Sequence, residues 1–345
     1  VTARLAAGPR TGPRPALSSA ARLAPSAVRL VLAAAMALAA AALPAMEWPL
    51  PGAAVARNFG FNDGGRPGLG VALSGSGYAL ASGPGEIVFS SAGGSSGPGG
   101  AARFPSPLGV WAAVDHGNGL VSIYARLGSL GSGGAEEGPG GEGSGAEDQG
   151  LGQGARRGVF EAPFAVAQGD PIGAAGSSGW SGGGAGCYFM VYDRRERRWV
   201  NPAMVASPLP DAVAPQIHWA QLRAEDGSAA PVAPWQSVAQ GRHGVVVSAT
   251  DALSGGLGSG LAPHRIIVLA NGAEIGRLSL ETISARDGAM MVSRSGQAPA
   301  RGVFAPFPAF EAGEAWLNRG QAIIEVIAQD IAGNYARIVA QITVE

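Results

Sequence analysis

Short apolar runs broken by glycine and proline fill residues 48 to 207, a pattern that predicts strands joined by turns rather than long helices. "GYALASGPGEIVFSS" and "GVWAAVDHGNGLVSIYARL" each read as strands with turns between them. In the second, "DHGNG" is a tight turn between two β-rich runs, which predicts a hairpin. After "SPLPDAVAPQIHW" the character changes and the β-rich runs become regularly spaced, placing a boundary near residue 208. There Asn271-Gly272 is a two-residue hairpin signal, and the last two runs flank a turn at Asp330 to Asn334.

The expected fold class is therefore all-β, in two parts, residues 46–207 and 208–345. The second part has the strand spacing of an immunoglobulin-like β-sandwich, without the Cys…Trp…Cys pattern of a true immunoglobulin domain. Residues 128–157 are low-complexity Gly, Ser and acid, and cannot offset the entropy of ordering, so a flexible insertion is expected there.

Composition narrows the function. A hydrophobic content of 46% excludes wholesale disorder, while 56 Gly and 25 Pro agree with abundant turns. The formal charge of −1 gives no basis for a nucleic-acid partner. Every basic residue is arginine, which together with the Ala and Gly excess points to a GC-rich coding sequence rather than an anion-binding surface. Cys187 is the single cysteine, so no internal disulfide can form.

Arg22 and Arg29 precede "LVLAAAMALAAAALPA", an apolar run ending in small residues. This is the arrangement of a secretory signal with cleavage near Ala45, and the run is shorter than the roughly 20 residues a spanning helix needs. Residues 1–45 are accordingly expected to be a leader. The mature protein is expected to be exported to the periplasm or cell envelope, with no membrane span after cleavage; the alternative is that the run is retained as an anchor.

Residues 48 to 207 also carry a recognisable frame. "ARNFGFNDGGRPGLGVAL", "ALASGPGEIVFSS", "VDHGNGLVSIYARL", "VAQGDPIGAAGSSGWSGG" and "CYFMVYD…VNP" occur in this order. Together they resemble the LytM, or lysostaphin-type, zinc endopeptidases that cut peptidoglycan cross-bridges. The resemblance implies a zinc ion held by a His and an Asp on the first strand and by the second His of a His-x-His strand. Matched residue by residue, those positions hold Arg66, Gly70 and Phe189, with Cys187 at the first His of the pair. A further family His, at the end of the hairpin, falls on Arg126. A register one residue later puts Tyr188 and Met190 in place of the His-x-His pair.

A catalytic zinc takes three protein ligands and keeps a position open for water. Glycine offers no donor atom, guanidinium no lone pair and phenylalanine neither. No histidine lies between His116 and His218. The expected cofactor is therefore none, although the family implies zinc. His116 sits in the "HGNG" turn and reads as a turn residue. Cys187 reads as a small apolar filler, with a Cys187–His116 nucleophile pair as the alternative. His218, His243 and His264 read as surface or edge residues. "DRRERR" reads as a solvated hairpin turn, with contact to anionic peptidoglycan or a partner as the alternative. Asp251 and Asp330 read as turn residues rather than calcium ligands.

The frame without its ligands implies a pseudoenzyme that binds or regulates at the cell wall. Its candidate cleft residues are Arg66, His116, Tyr124, Arg126, Cys187 and Tyr188, and its partner peptidoglycan or a cell-wall hydrolase. Relatives of this kind activate separate cell-wall amidases. The alternatives are an active zinc endopeptidase with rearranged ligands and a structural envelope spacer.

Overall fold

The structure is a computed structural model that describes residues 45–63, 65–92, 106–131, 155–156, 159–160, 163–179 and 184–345. The expected leader, residues 132–154 of the expected insertion and the "WSGG" segment at 180–183 lie outside the described residues. The insertion's flanks are strands rather than loop: Ser129–Leu130 pairs with Gly173 and Ala174, and Ala155–Arg156 pairs with Val159 and Phe160. Residues Ala45–Glu345 form one compact unit. Among the described residues, helix is confined to three-residue turns such as Pro202–Met204, and no helix is long and apolar enough to cross a membrane. The chain is all-β.

Its principal strands in the first half are β1 (Ala54–Arg57), β2 (Val71–Ser74), β3 (Gly85–Ala92), β4 (Val110–Asp115) and β5 (Leu120–Leu127). They are followed by β6 (Phe164–Val166), β7 (Gly186–Asp193) and β8 (Arg198–Val200). The second half holds β9 (Gln216–Ala224), β10 (Gly241–Leu253), β11 (Gly258–Leu261), β12 (Arg265–Ala270) and β13 (Ala273–Arg286). It ends with β14 (Ala309–Leu317), β15 (Gly320–Gln329) and β16 (Tyr335–Val344).

The hairpin turns follow from local chemistry. Between β4 and β5, the Asp115 carboxylate accepts from Gly117 N at 3.0 Å and the Asn118 amide oxygen accepts from Leu120 N at 2.9 Å. Between β12 and β13, Asn271 (φ 49°) and Gly272 (φ 79°) supply the two left-handed residues of a two-residue loop. Asp193 accepts the amides of Arg195 and Glu196, closing the "DRRERR" turn, and Arg194 reaches Asp115 at 2.8 Å.

Burial divides the interior into two clusters. One gathers Val71, Leu73, Ile87, Tyr124, Cys187, Phe189 and Val191 from the first half. The other lies between two sheets of the second half, with Val245, Val247 and Phe310 on one side and Ile266, Leu278, Ile324 and Val326 on the other. The sheets approach closely at Gly276 and Gly313, where a Cβ on Gly276 would lie 2.5 Å from the Gly313 Cα.

The two halves share one sheet. Its strand order is β6-β3-β4-β5-β7-β8-β13-β12-β15-β16, so β8 continues the ladder from the first half into the second through Arg198↔Ser284 and Val200↔Thr282. Side chains are also exchanged across the junction. Phe59 is buried in the second cluster and Leu261 in the first. Asn58 bonds both backbone groups of Ala262, at 2.7 and 2.9 Å. Asn201 is 6% exposed; its amide donates to Leu280 O at 3.0 Å while its oxygen accepts from Ala203 N.

Removing the Asn201 side chain leaves the Leu280 carbonyl and the Ala203 amide without their donor and acceptor. Asn201→Ala is expected to cost about 1–3 kcal/mol in chemical denaturation, against no significant change for an exposed control such as Gln216→Ala.

Candidate functional site

Alternation along β7 sorts its side chains onto two faces. Cys187, Phe189 and Val191 enter the first core, packed with Val71, Leu73 and Tyr124. Tyr188, Met190 and Tyr192 take the opposite face, next to Ala72, Ala125 and Ile123 on the paired strands. Of the two registers open for the His-x-His pair, one therefore points into a packed interior and the other away from it. Neither carries a histidine or a carboxylate, and Cys187 alone is of zinc-ligand type.

On the inner face, Phe189 is fully enclosed, with its ring 5.5 Å from Tyr124 and 6.3 Å from Trp48. Cys187 is 1% exposed, and burial pushes its thiol up to about 12, against the opposing pull of the Ala125 backbone and Arg126. A thiol this enclosed is shut off from solvent and poorly disposed to ionise as a nucleophile. On the outer face, the Tyr188 hydroxyl accepts from Leu69 N at 3.0 Å. Met190 is 3% exposed and offers only a thioether.

Gly70 is closed sterically as well as chemically. A Cβ there would overlap the Phe189 carbonyl oxygen and come within 2.5 Å of Met190 Cγ. Backbone cannot yield as a flexible side-chain end can, so an aspartate at this position has no room without moving β7. Arg66 is exposed, in a short ladder with Asp63. Arg126 sits in a bulge where β4 and β5 lose register, at φ 65°, with its amide donating to Leu108 O at 2.8 Å.

His116 occupies a defined place. Its Nδ1 lies 2.8 Å from the Pro84 carbonyl, which can only accept, so this nitrogen carries the proton. Nε2 is left to accept from the Ser122 hydroxyl at 2.8 Å. Ser122 Oγ lies 3.0 Å from the Tyr124 hydroxyl, which accepts the Ser82 amide at 2.7 Å. Ser122, Tyr124 and Ser82 are all fully buried, so the chain of polar groups ties the hairpin to its neighbours.

Two of the expected cleft residues are thereby corrected. Tyr124 and Cys187 belong to the core, because strand alternation turns them inward. The alternative Cys187–His116 pair is also excluded, since both ring nitrogens of His116 are engaged elsewhere and the thiol is inert. Arg66 is exposed, and His116, Arg126 and Tyr188 are half-buried. His243, expected at the surface, is 3% exposed, with Nε2 on the Ala239 carbonyl at 2.8 Å.

Comparison with known proteins adds likenesses of fold only. One family model matches residues 214–345, within the second half. No curated protein matches. Among solved structures, a zinc-containing peptidase from Vibrio cholerae is similar at 16% identity and TM-score 0.30, over 48% of this chain and 41% of that one. Csd3 from Helicobacter pylori is similar at 17% identity and TM-score 0.31, over 48% and 34%. Lysostaphin is similar at 14% identity and TM-score 0.31, over 74% and 89%. The chain spans less than half the length of the first two.

Among the described residues, the His, Cys, Asp and Glu groups close enough to share a metal ion are Asp211, Asp251 and Asp330, away from β7. The sequence assigns Asp251 and Asp330 to turns one at a time. Their shared Asp-x-x-(x)-Gly pattern, at 251–255 and 330–333, was the available signal that they belong together.

Two measurements check this geometry. Cys187 is expected to resist thiol reagents in the native protein and to react on denaturation; stoichiometric labelling of folded protein would contradict its burial. Desolvation lowers the His116 pKa below 6.5, against the opposing effects of Pro84 and Asp115. Its contribution to stability is then complete above pH 6.5 and is lost as pH falls through 6.5 towards the lowered native value. His116→Gln is expected to flatten the fall in stability of the native protein over that range.

Proposed function

We propose that this chain is a LytM-type peptidase fold without a catalytic metal, exported to the cell envelope, where it binds peptidoglycan or regulates a cell-wall hydrolase. In this reading the second half is an immunoglobulin-like module that presents the first. The observation that carries the proposal is the contact at Gly70. The ordered frame of LytM-like segments is kept, yet the position matched to the aspartate ligand has no space for a side chain. The positions matched to histidines hold Arg66, Arg126 and either Cys187 and Phe189 or Tyr188 and Met190.

What remains on the surface is suited to contact rather than hydrolysis. Arg66 is exposed, as are Arg194, Arg195 and Arg197 in the Asp193–Arg198 turn. Guanidinium groups recognise carboxylates bidentately, and cross-bridge peptides and hydrolase surfaces both carry carboxylates.

The test is incubation of the full chain with purified peptidoglycan sacculi. Retention in the pellet is expected, without release of soluble fragments and unchanged by chelator. Chelator-sensitive release would instead establish a peptidase with rearranged ligands. Absence of both release and retention, with no stimulation of an added amidase, would leave only an envelope spacer.

A further inference from the structure

Where the linker after residue 207 meets the second half, three carboxylates converge. Asp211 comes from the linker, Asp251 from β10 and Asp330 from the turn before β16. Each offers an oxygen within 4.8 Å of the others. A cavity of about 160 Å³ adjoins them, lined by Asp211, Asp251, Asn58, Asn201 and His264.

The hydrogen bonds around the cluster leave a deficit. Asp330 is satisfied, since one oxygen accepts from Gly333 N and Asn334 N and the other from the Asn334 side chain. Asp211 Oδ1 accepts from Val213 N and from the amide and hydroxyl of Ser254. Its Oδ2 is completely enclosed and has no donor. Asp251 is more than nine-tenths buried, at 8% exposure, and its only donor is the amide of the next residue, onto Oδ1. The other Asp251 oxygen has none. Across the same cavity, His264 Nδ1 is likewise enclosed without a partner, in a side chain 11% exposed.

No cation offsets this charge. Among the described residues none of the three carboxylates has an ion pair, and Arg265 is engaged with Glu281 at 2.6 Å. An isolated buried carboxylate is costly enough that these groups need a proton or a metal between them.

We infer that Asp211, Asp251 and Asp330 hold a hard divalent cation, calcium by preference, that clamps the linker to the second half. The donor set is all oxygen, which suits calcium or magnesium over zinc. The three oxygens lie within 4.8 Å of one another, close enough for one ion, and calcium takes protein oxygens in a flexible shell whereas magnesium keeps most of its waters. The cation meets the two oxygens that lack donors and leaves the turn hydrogen bonds of Asp330 in place. Because Phe59, Asn58 and Asn201 tie the halves together beside the same cavity, the ion stiffens the junction between them. The site is independent of any reading of β7.

The test is titration of the chelator-treated full chain with calcium chloride at pH 8, followed by calorimetry and by thermal melting. Saturable binding near one ion per chain and a rise of several degrees in Tm are expected, both reversed by chelator. Asp211→Asn and Asp251→Asn are expected to abolish the response. Asp251→Asn should leave the calcium-free protein as stable as before or more so, since it removes a buried charge. Should either variant fail to fold, the wild-type titration decides alone. No binding heat and no Tm response would overturn the inference in favour of a shared proton. An equal Tm rise with sodium chloride at matched ionic strength would overturn it in favour of screening.

Discussion

The constraint on which the first half depends is the approach of β7 to Gly70, where a Cβ would lie 2.3 Å from the Phe189 carbonyl oxygen. β7 is paired along one edge with β5 and along the other with both β2 and β8, so it is fixed in register on each side. With the strand held there, the Phe189 carbonyl and the Met190 side chain occupy the volume a side chain at residue 70 would need. The same register turns Cys187, Phe189 and Tyr124 into one core. The core of the first half and the closed position at residue 70 thus come from a single packing arrangement.

That arrangement also reaches the second half. β8 hydrogen-bonds to β13, Phe59 and Leu261 are each buried in the other half's core, and Asn58 and Asn201 satisfy backbone groups across the junction. Surface ion pairs such as Arg194–Asp115 contribute little by comparison, since their Coulomb gain is screened by water. The junction is a continuous ladder with buried amides at its edge, and the acidic cluster lies beside it. A cation there would act on the most constrained part of the structure.

Much of the architecture was legible because it rests on local chemistry. Asn271-Gly272 and Asp115 to Leu120 specify their turns through left-handed φ and side-chain acceptors, whatever surrounds them. The shift in strand spacing near residue 208 is visible in the sequence, but the pairing of β8 with β13 is not, because a strand's lateral partner leaves no mark on its own sequence. The register of β7 was open for the same reason. Cys187-Tyr188-Phe189-Met190 contains four apolar or amphipathic residues, so alternation could not say which pair faces inward. His243 was misplaced because a histidine satisfied by a backbone carbonyl reads like an exposed one. The convergence of Asp211, Asp251 and Asp330 spans 119 residues of chain and depends wholly on tertiary placement.

The central claim is that the LytM-like frame here cannot hold the family's metal. Zinc content measures it most directly. After expression in zinc-replete medium and dialysis, the full chain is expected to retain far less than one zinc per molecule, with no high-affinity site in a competition titration against a chromophoric chelator. One tightly held zinc per chain, lost on substitution of Tyr188, Met190 or Arg126, would contradict the account.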